Sequence, residues 1–289
     1  MTPRHILTIA SGTVDDVGAL GLAADLAKRF KSAVTVMPAY QDAAWERIEI
    51  GKALSSPLPK DAVEDLRRAD TQKQAEIERA AKDAAARAGL VVDGASHGSM
   101  TIDEREPQPW KAWAEKLTLA DLVIVGAGAA SGQGLGASLF SEALIDAQAP
   151  VLLATRSERR IQGGVAAIAW DGGSRSGRAV RAALPILAEA DRIVILQDPS
   201  RLEHAISIPG ADPKRLVQYL SLHDIGEVVV CEVSGTSVAQ AILAEAKRNE
   251  ACVLVAGAYG KPRWRQMIWG GATDTFVSDE TRPHLFLSH

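Results

Sequence analysis

Cysteine is nearly absent from this chain: its 289 residues include two, Cys231 and Cys252, each inside an apolar, strand-like run. So few thiols exclude a disulfide scaffold, and neither has a partner at the spacing a metal site needs. No apolar run approaches the roughly 20 residues of a membrane-spanning helix. The opening residues, Met-Thr-Pro-Arg-His, pass straight into a strand pattern, so no signal peptide is expected. Neither sign of charge dominates. A net charge of -4 and a pI near 5.9 give no bulk attraction to nucleic acid or to an anionic membrane. Neither is expected as a partner, and the expected compartment is the cytoplasm.

Motifs that carry catalysis are equally sparse. The six histidines are scattered, and none forms HxxxH or another ligand pair. His97 stands near Asp93, but in a Gly- and Ser-rich stretch with no third group implied. There is no G-x-S-x-G elbow and no G-x4-G-K-[ST] loop. A nucleotide hydrolase needs a base or water-positioning group and a metal carboxylate near the phosphates. None is identifiable, so no catalytic or metal residue is assigned. An enzyme is not expected, with slow ATP hydrolysis left as an alternative.

Repetition is what the chain has. His5-Ile-Leu-Thr-Ile-Ala-Ser11-Gly12 lines up with Val165-Ala-Ala-Ile-Ala-Trp-Asp171-Gly172, each a short apolar strand ending in glycine. An Ala- and Leu-rich helix follows in each copy, over residues 14–30 and 174–188, then a second apolar strand over 33–37 and 192–196. Further on, Ala120–Gly126 parallels Ala251–Gly257, and Ala149-Pro150-Val-Leu-Leu parallels Arg282-Pro283-His-Leu-Phe. Four landmarks recur in one order. Apolar strands alternating with amphipathic helices imply parallel sheets covered on both faces. The fold class is therefore α/β, two tandem doubly wound parallel-sheet domains over 1–158 and 159–289, joined through a polar, Gly-ended stretch at 157–164. Such a length, 47% hydrophobic and 24% charged, suits two globular domains. The first copy alone carries a segment, 61–88, patterned as one long helix stopped by Gly89. It reads as a solvated crossover helix in preference to a partner-binding one.

The second copy ends its fourth strand in glycines. Gly257, Gly260 and Gly270 have the spacing G-x2-G-x9-G, directly after Val253-Leu-Val-Ala256. A buried strand that ends in glycines and leads into a helix can cradle phosphate, since the backbone approaches closely and free N–H groups converge on the anion. Glycines also end strands for purely structural reasons. Asp171, at the carboxyl edge of the copy's first strand, is either a ligand contact or a helix cap; both readings stay open.

These residues resemble the universal stress protein family, specifically its double-length bacterial members. The likeness lies in Gly257-Ala-Tyr-Gly260, then Gly270 at the family spacing within Gly270-Gly271-Ala-Thr273, then the closing Arg282-Pro283-His-Leu-Phe-Leu-Ser-His289. The likeness is close over the last stretch of the chain and weakens toward the N-terminus. It implies a bacterial cytoplasmic stress-response protein with a binding role, its cofactor ATP or another adenine nucleotide. It also implies that Asp171 and Gly172 lie beside the adenosine, that backbone at Leu196 and Gln197 meets the adenine, and that Gly257, Gly260, Gly270, Gly271 and Thr273 surround the phosphates. The closing strands at 150–154 and 283–288 would pair with one another, making the chain an intramolecular pseudo-dimer. A homodimer and an unidentified protein partner stay open.

Two departures matter. Gly271 stands where nucleotide-binding relatives have a Ser or Thr hydroxyl, and Thr273 is two residues further along. Lys261, Arg263 and Arg265 add loop charge that either screens phosphate or is merely solvated. The first copy has Ser11 in place of Asp171, and its loop from Gly126 is two residues short of the family spacing. It is expected to be a degenerate site. Val123-Ile-Val-Gly126-Ala-Gly128 resembles a dinucleotide fingerprint, but Ser131 replaces the third glycine and the strand is the fourth of its unit. The competing overall reading is an interaction scaffold in which neither half binds nucleotide.

Overall fold

A computed structural model describes residues 2–40, 60–94, 96–104, 109–130, 135–156, 159–200, 211–258, 272–279 and 281–289. The chain forms two compact units, one of Pro3–Glu142 and one of Met1–Thr2 with Ala143–His289.

In the N-terminal unit, β1 (His5–Ala10) leads to α1 (Asp15–Phe30), β2 (Ala33–Pro38), α2 (Lys60–Ala88), β3 (Val91–Val92), β4 (Ser99–Ile102), α3 (Pro109–Leu117), β5 (Leu122–Val125), α4 (Ala127–Ala130) and α5 (Leu135–Ser141). The strand order is β3-β4-β2-β1-β5, and every described pairing is parallel. Parallel strands need crossover connections, so helices cover the faces and the strands read as unbroken apolar runs. β1 is buried from Ile6 onward. α1 carries Asp15 and Asp16 in its first turn and Lys28 and Arg29 in its last, matching the helix dipole at both ends. Along α2, Ile77, Ala81, Ala84, Ala85 and Ala88 form one buried stripe. Gly89 then takes φ 72°, a left-handed turn that ends the helix as its sequence predicts.

The C-terminal unit contains β6 (Val151–Leu153), β7 (Val165–Ala169), α6 (Ser174–Leu187), β8 (Arg192–Gln197), α7 (Pro213–Ser221), β9 (Glu227–Glu232), α8 (Val238–Arg248), β10 (Ala251–Gly257), α9 (Ala272–Ser278) and β11 (His284–Ser288). The order is β6-β11-β10-β7-β8-β9. Its central trio, β8-β7-β10, repeats β2-β1-β5 of the other unit with the same parallel winding. The tandem α/β architecture is therefore present as the repeats require.

β6 closes the first repeat in sequence, yet it belongs to the second unit. It pairs antiparallel with β11 through Leu285↔Leu153, Phe286↔Leu152 and Leu287↔Val151. The expected pairing of the two closing strands is thus present, and the compact units divide at Glu142/Ala143, ahead of the junction between repeats. Two buried side chains fix the join. The Arg282 guanidinium donates through Nη1 to the Leu153 and Pro283 carbonyls. His284 accepts the Thr155 N–H on Nδ1 at 3.1 Å and donates from Nε2 to the Arg159 carbonyl at 2.8 Å. A backbone N–H only donates and a carbonyl only accepts, so these partners dictate a neutral ring protonated on Nε2. Burial pushes the His284 pKa down to about 4. Among the described residues no helix is long and apolar enough to cross a membrane.

Candidate functional site

The carboxyl edge of the C-terminal sheet is built around one turn. β7 ends at Ala169, and Gly172 adopts φ 72° so that the chain reverses into α6. The Asp171 carboxylate closes this turn: Oδ1 accepts the Gly173 N–H at 2.8 Å and the Ser176 hydroxyl at 2.6 Å. Asp171 stays exposed while Ser176 is buried beneath it. The capping alternative is therefore realised in this geometry.

The same turn follows β1 with the two side chains exchanged. Ser11 occupies the strand end and Asp16 the helix position, and Gly12 takes φ 75° as Gly172 takes 72°. Asp16 is only 5% exposed. Its carboxylate accepts the backbone N–H groups of Ser11, Gly12 and Thr13, at 2.7 Å for Gly12, and the Ser11 hydroxyl at 3.2 Å. Burial pushes its pKa above the ordinary 3.8, and the amide hydrogen bonds oppose that shift. An internal anion thus takes up the turn amides in the N-terminal unit.

Gly257 has a packing role that its sequence context does not disclose. A Cβ placed there would lie 2.7 Å from the Ser176 nitrogen and 2.8 Å from the Arg175 carbonyl carbon. Gly126, its counterpart, would bring a Cβ to 3.0 Å from the Asp15 carbonyl oxygen. In both units the strand-end glycine lets the following strand lie against the first turn of the helix. Leu196 and Gln197 end β8 beside β7, both buried. Their carbonyls already accept the N–H groups of Trp170 and Val233, and the Gln197 amide donates to the Ala211 carbonyl at 2.6 Å. Thr273 is buried in the first turn of α9, which packs on α8. Asp171, Gly172, Leu196, Gln197 and Gly257 therefore share one edge. Gly260, Gly270, Gly271 and the cations Lys261, Arg263 and Arg265 lie outside the described residues, as does part of the loop after Gly126.

Arg175, Arg178 and His289 are the residues that sequence reasoning missed. Arg178 donates to the His289 carbonyl oxygen at 3.0 Å. Burial lowers the His289 pKa, and the neighbouring charges of Arg175 and Arg178 lower it further. Aligning the helix starts of the repeats would have found Arg175, since Asp15-Asp16 of one copy stands against Arg175-Ser176 of the other. Among the described residues no group of three or more His, Cys, Asp or Glu side chains is placed to hold a metal ion.

Two solved structures share this architecture along nearly the whole chain. One is a universal stress protein from Archaeoglobus fulgidus DSM 4304, with a TM-score of 0.60, 15% identity, and coverage of 98% of this chain and 97% of that one. The other is a functionally unknown protein from Pseudomonas aeruginosa PAO1, with a TM-score of 0.54, 14% identity, and coverage of 99% and 92%. No family model matches the sequence, and no curated protein does. The chain is thus an α/β protein of two tandem, doubly wound units. Its fold is that of the universal stress proteins.

Proposed function

We propose that this chain is a tandem universal stress protein with a stress-response role, and that its C-terminal unit binds ATP or another adenine nucleotide as a sensing ligand without turning it over. The observation that carries this reading is the charge at the two equivalent helix starts. α1 opens with Asp15 and Asp16, and Asp16 fills its own turn. α6 has no acidic residue in its first turn and carries Arg175 and Arg178 near it. Cations at a helix N-terminus oppose the dipole, at about 0.3–1 kcal/mol each. A polyanionic ligand at this edge accounts for that cost. Asp171 would hold the turn through Oδ1 and present its second oxygen to a sugar hydroxyl or a base amine.

The scaffold reading rests on two residues. Gly271 lacks the hydroxyl of nucleotide-binding relatives, a loss of about 1.5–3 kcal/mol for a hydrogen bond to charged oxygen. The close approach of α6 already explains Gly257. Denaturing the purified protein and identifying any released nucleotide discriminates the two. Calorimetric titration with ATP then locates the site. Gly260→Val is expected to abolish binding, because a branched side chain fills a phosphate cradle, and Asp171→Ala to weaken it. Ser11→Ala and Gly128→Ala, the latter displacing only the Asp15 carboxylate, are expected to leave it unchanged. No binding by wild type at millimolar ATP rejects the nucleotide reading in favour of the scaffold. Equal losses from both halves would instead overturn the degenerate status of the first.

A further inference from the structure

Among the described residues, the large apolar side chains that the C-terminal unit exposes are Leu222, Val229 and Val230, the first 82% and the others 39% and 40% exposed. All three lie on β9 or on the turn leading into it. β9 is Glu-Val-Val-Val-Cys-Glu, with no buried position along its length, and among the described residues β8 is its sole strand neighbour. The Val233 N–H donates to the Gln197 carbonyl at 2.8 Å, which fixes the facing of the strand. Backbone groups alternate sides along a strand, so Val229 and Cys231 turn theirs toward β8 while Val228, Val230 and Glu232 direct theirs outward. The corresponding edge of the N-terminal unit is closed: β4 sits beside β2 as β9 sits beside β8, and β3 pairs with it.

Natural sheets cover or blunt such an edge unless it is used. The charges indicate by what. Glu227 and Glu232 stand exposed at its two ends, and neither has an ion-pair partner among the described residues. Asp224 precedes them, also exposed. A second copy would bring more carboxylates and no cation to the same edge. Six-residue strands also bury well under the roughly 1,000 Å² of a specific interface between copies. We propose that β9 takes up an extended segment of another protein by strand addition, with β-branched residues at its centre and Lys or Arg at both ends.

The test uses the full-length protein, with its amide spectrum assigned, and two synthetic probes, Lys-Val-Thr-Val-Thr-Lys and Glu-Val-Thr-Val-Thr-Glu. The Lys-flanked peptide is expected to bind about five- to tenfold more tightly, the worth of two complementary cross-strand pairs. Its amide shifts should centre on Val228, Val230 and Glu232. Val230→Pro removes an outward N–H and leaves the ladder to β8 intact, so it is expected to abolish binding. The surface variant Glu227→Lys/Glu232→Lys is expected to invert the peptide preference. Failure of the Lys-flanked peptide to bind, equal affinity for both, or undiminished binding by the proline variant would overturn the proposal. So would self-association of wild type that the proline variant loses, which would assign the edge to a second copy.

Discussion

The turn after the first strand is built twice in this chain, from the same pair of side chains in opposite order. In the N-terminal unit Ser11 reaches forward to Asp16; in the C-terminal unit Asp171 reaches forward to Ser176, at the same separation of five residues. Both arrangements hold the glycine turn and the first helical turn together. Their electrostatic consequences differ. A carboxylate on the helix side is buried and turned onto the loop amides; a carboxylate on the strand side stays exposed at the sheet edge. Exchanging two residues therefore decides whether the carboxylate that closes the turn is buried on its amides or exposed at the sheet edge. Divergence between repeats has changed the chemistry of this turn and kept the fold that holds it.

The largest expected effect tests what the two units share. Gly257→Val should destabilise the protein by about 3 kcal/mol, the upper end for overpacking, because its Cβ would meet backbone that cannot move aside. Gly126→Val should follow it at somewhat lower cost, since the approach there is looser. Urea midpoints of the two variants measure the pair, and a silent Gly257→Val would show that the close approach is relaxed in solution.

The next effect belongs to the C-terminal unit alone. His284 has a depressed native pKa of about 4, so between that value and its ordinary 6.5 the unfolded chain holds a proton that the native protein lacks. Its contribution is complete above pH 6.5 and is lost as pH falls, about 2 kcal/mol by pH 5. Asp16, with a raised pKa, acts in the opposite sense, so the comparison is made between wild type and a His284 variant over pH 7 to 5. Replacing His284 with Gln should flatten the profile. An unchanged slope would place the pH dependence elsewhere.

The exchange itself can be dissected. Asp16→Ser should cost about 1–2 kcal/mol by taking the acceptor from the half-buried turn amides, and adding Ser11→Asp should recover part of that loss by installing the C-terminal arrangement. Purely additive losses in the double-mutant cycle would show that the two turns are not interchangeable. The smallest effect is the most discriminating. Arg175→Glu should raise stability by about 0.3–1 kcal/mol by matching the helix dipole, and should weaken ATP binding. A gain in stability with ATP binding unchanged would show that Arg175 takes no part in holding the nucleotide.

Local pattern made much of the fold legible. The Ala–Leu periodicity located α1 to within a residue, Gly89 marked the end of α2, and the Val-Leu-Val run fixed β10. These elements are long, strongly patterned and punctuated by residues whose backbone preference is decisive. β3 was not foreseen, because two residues carry no periodicity and its pairing is set by β4. Asp171 and Gly257 were found as candidates, with capping one of the two readings of Asp171, but the packing work of Gly257 was not readable. That Gly257 admits α6 depends on a contact between segments far apart in sequence. The exposure of β9 was hidden for a related reason: it depends on what distant segments place beside the strand.

The strand β6 has a consequence for how the protein responds to dilution. β11 is buried along its whole length and uses one edge to receive β6 from the same chain. A strand supplied by a separate molecule would be present only in proportion to that molecule's abundance. A tethered one is presented at an effective concentration on the order of millimolar, whatever the expression level. The pairing should therefore survive when the protein is scarce. Duplicating the unit within one polypeptide thus converts an equilibrium between molecules into a property of each molecule.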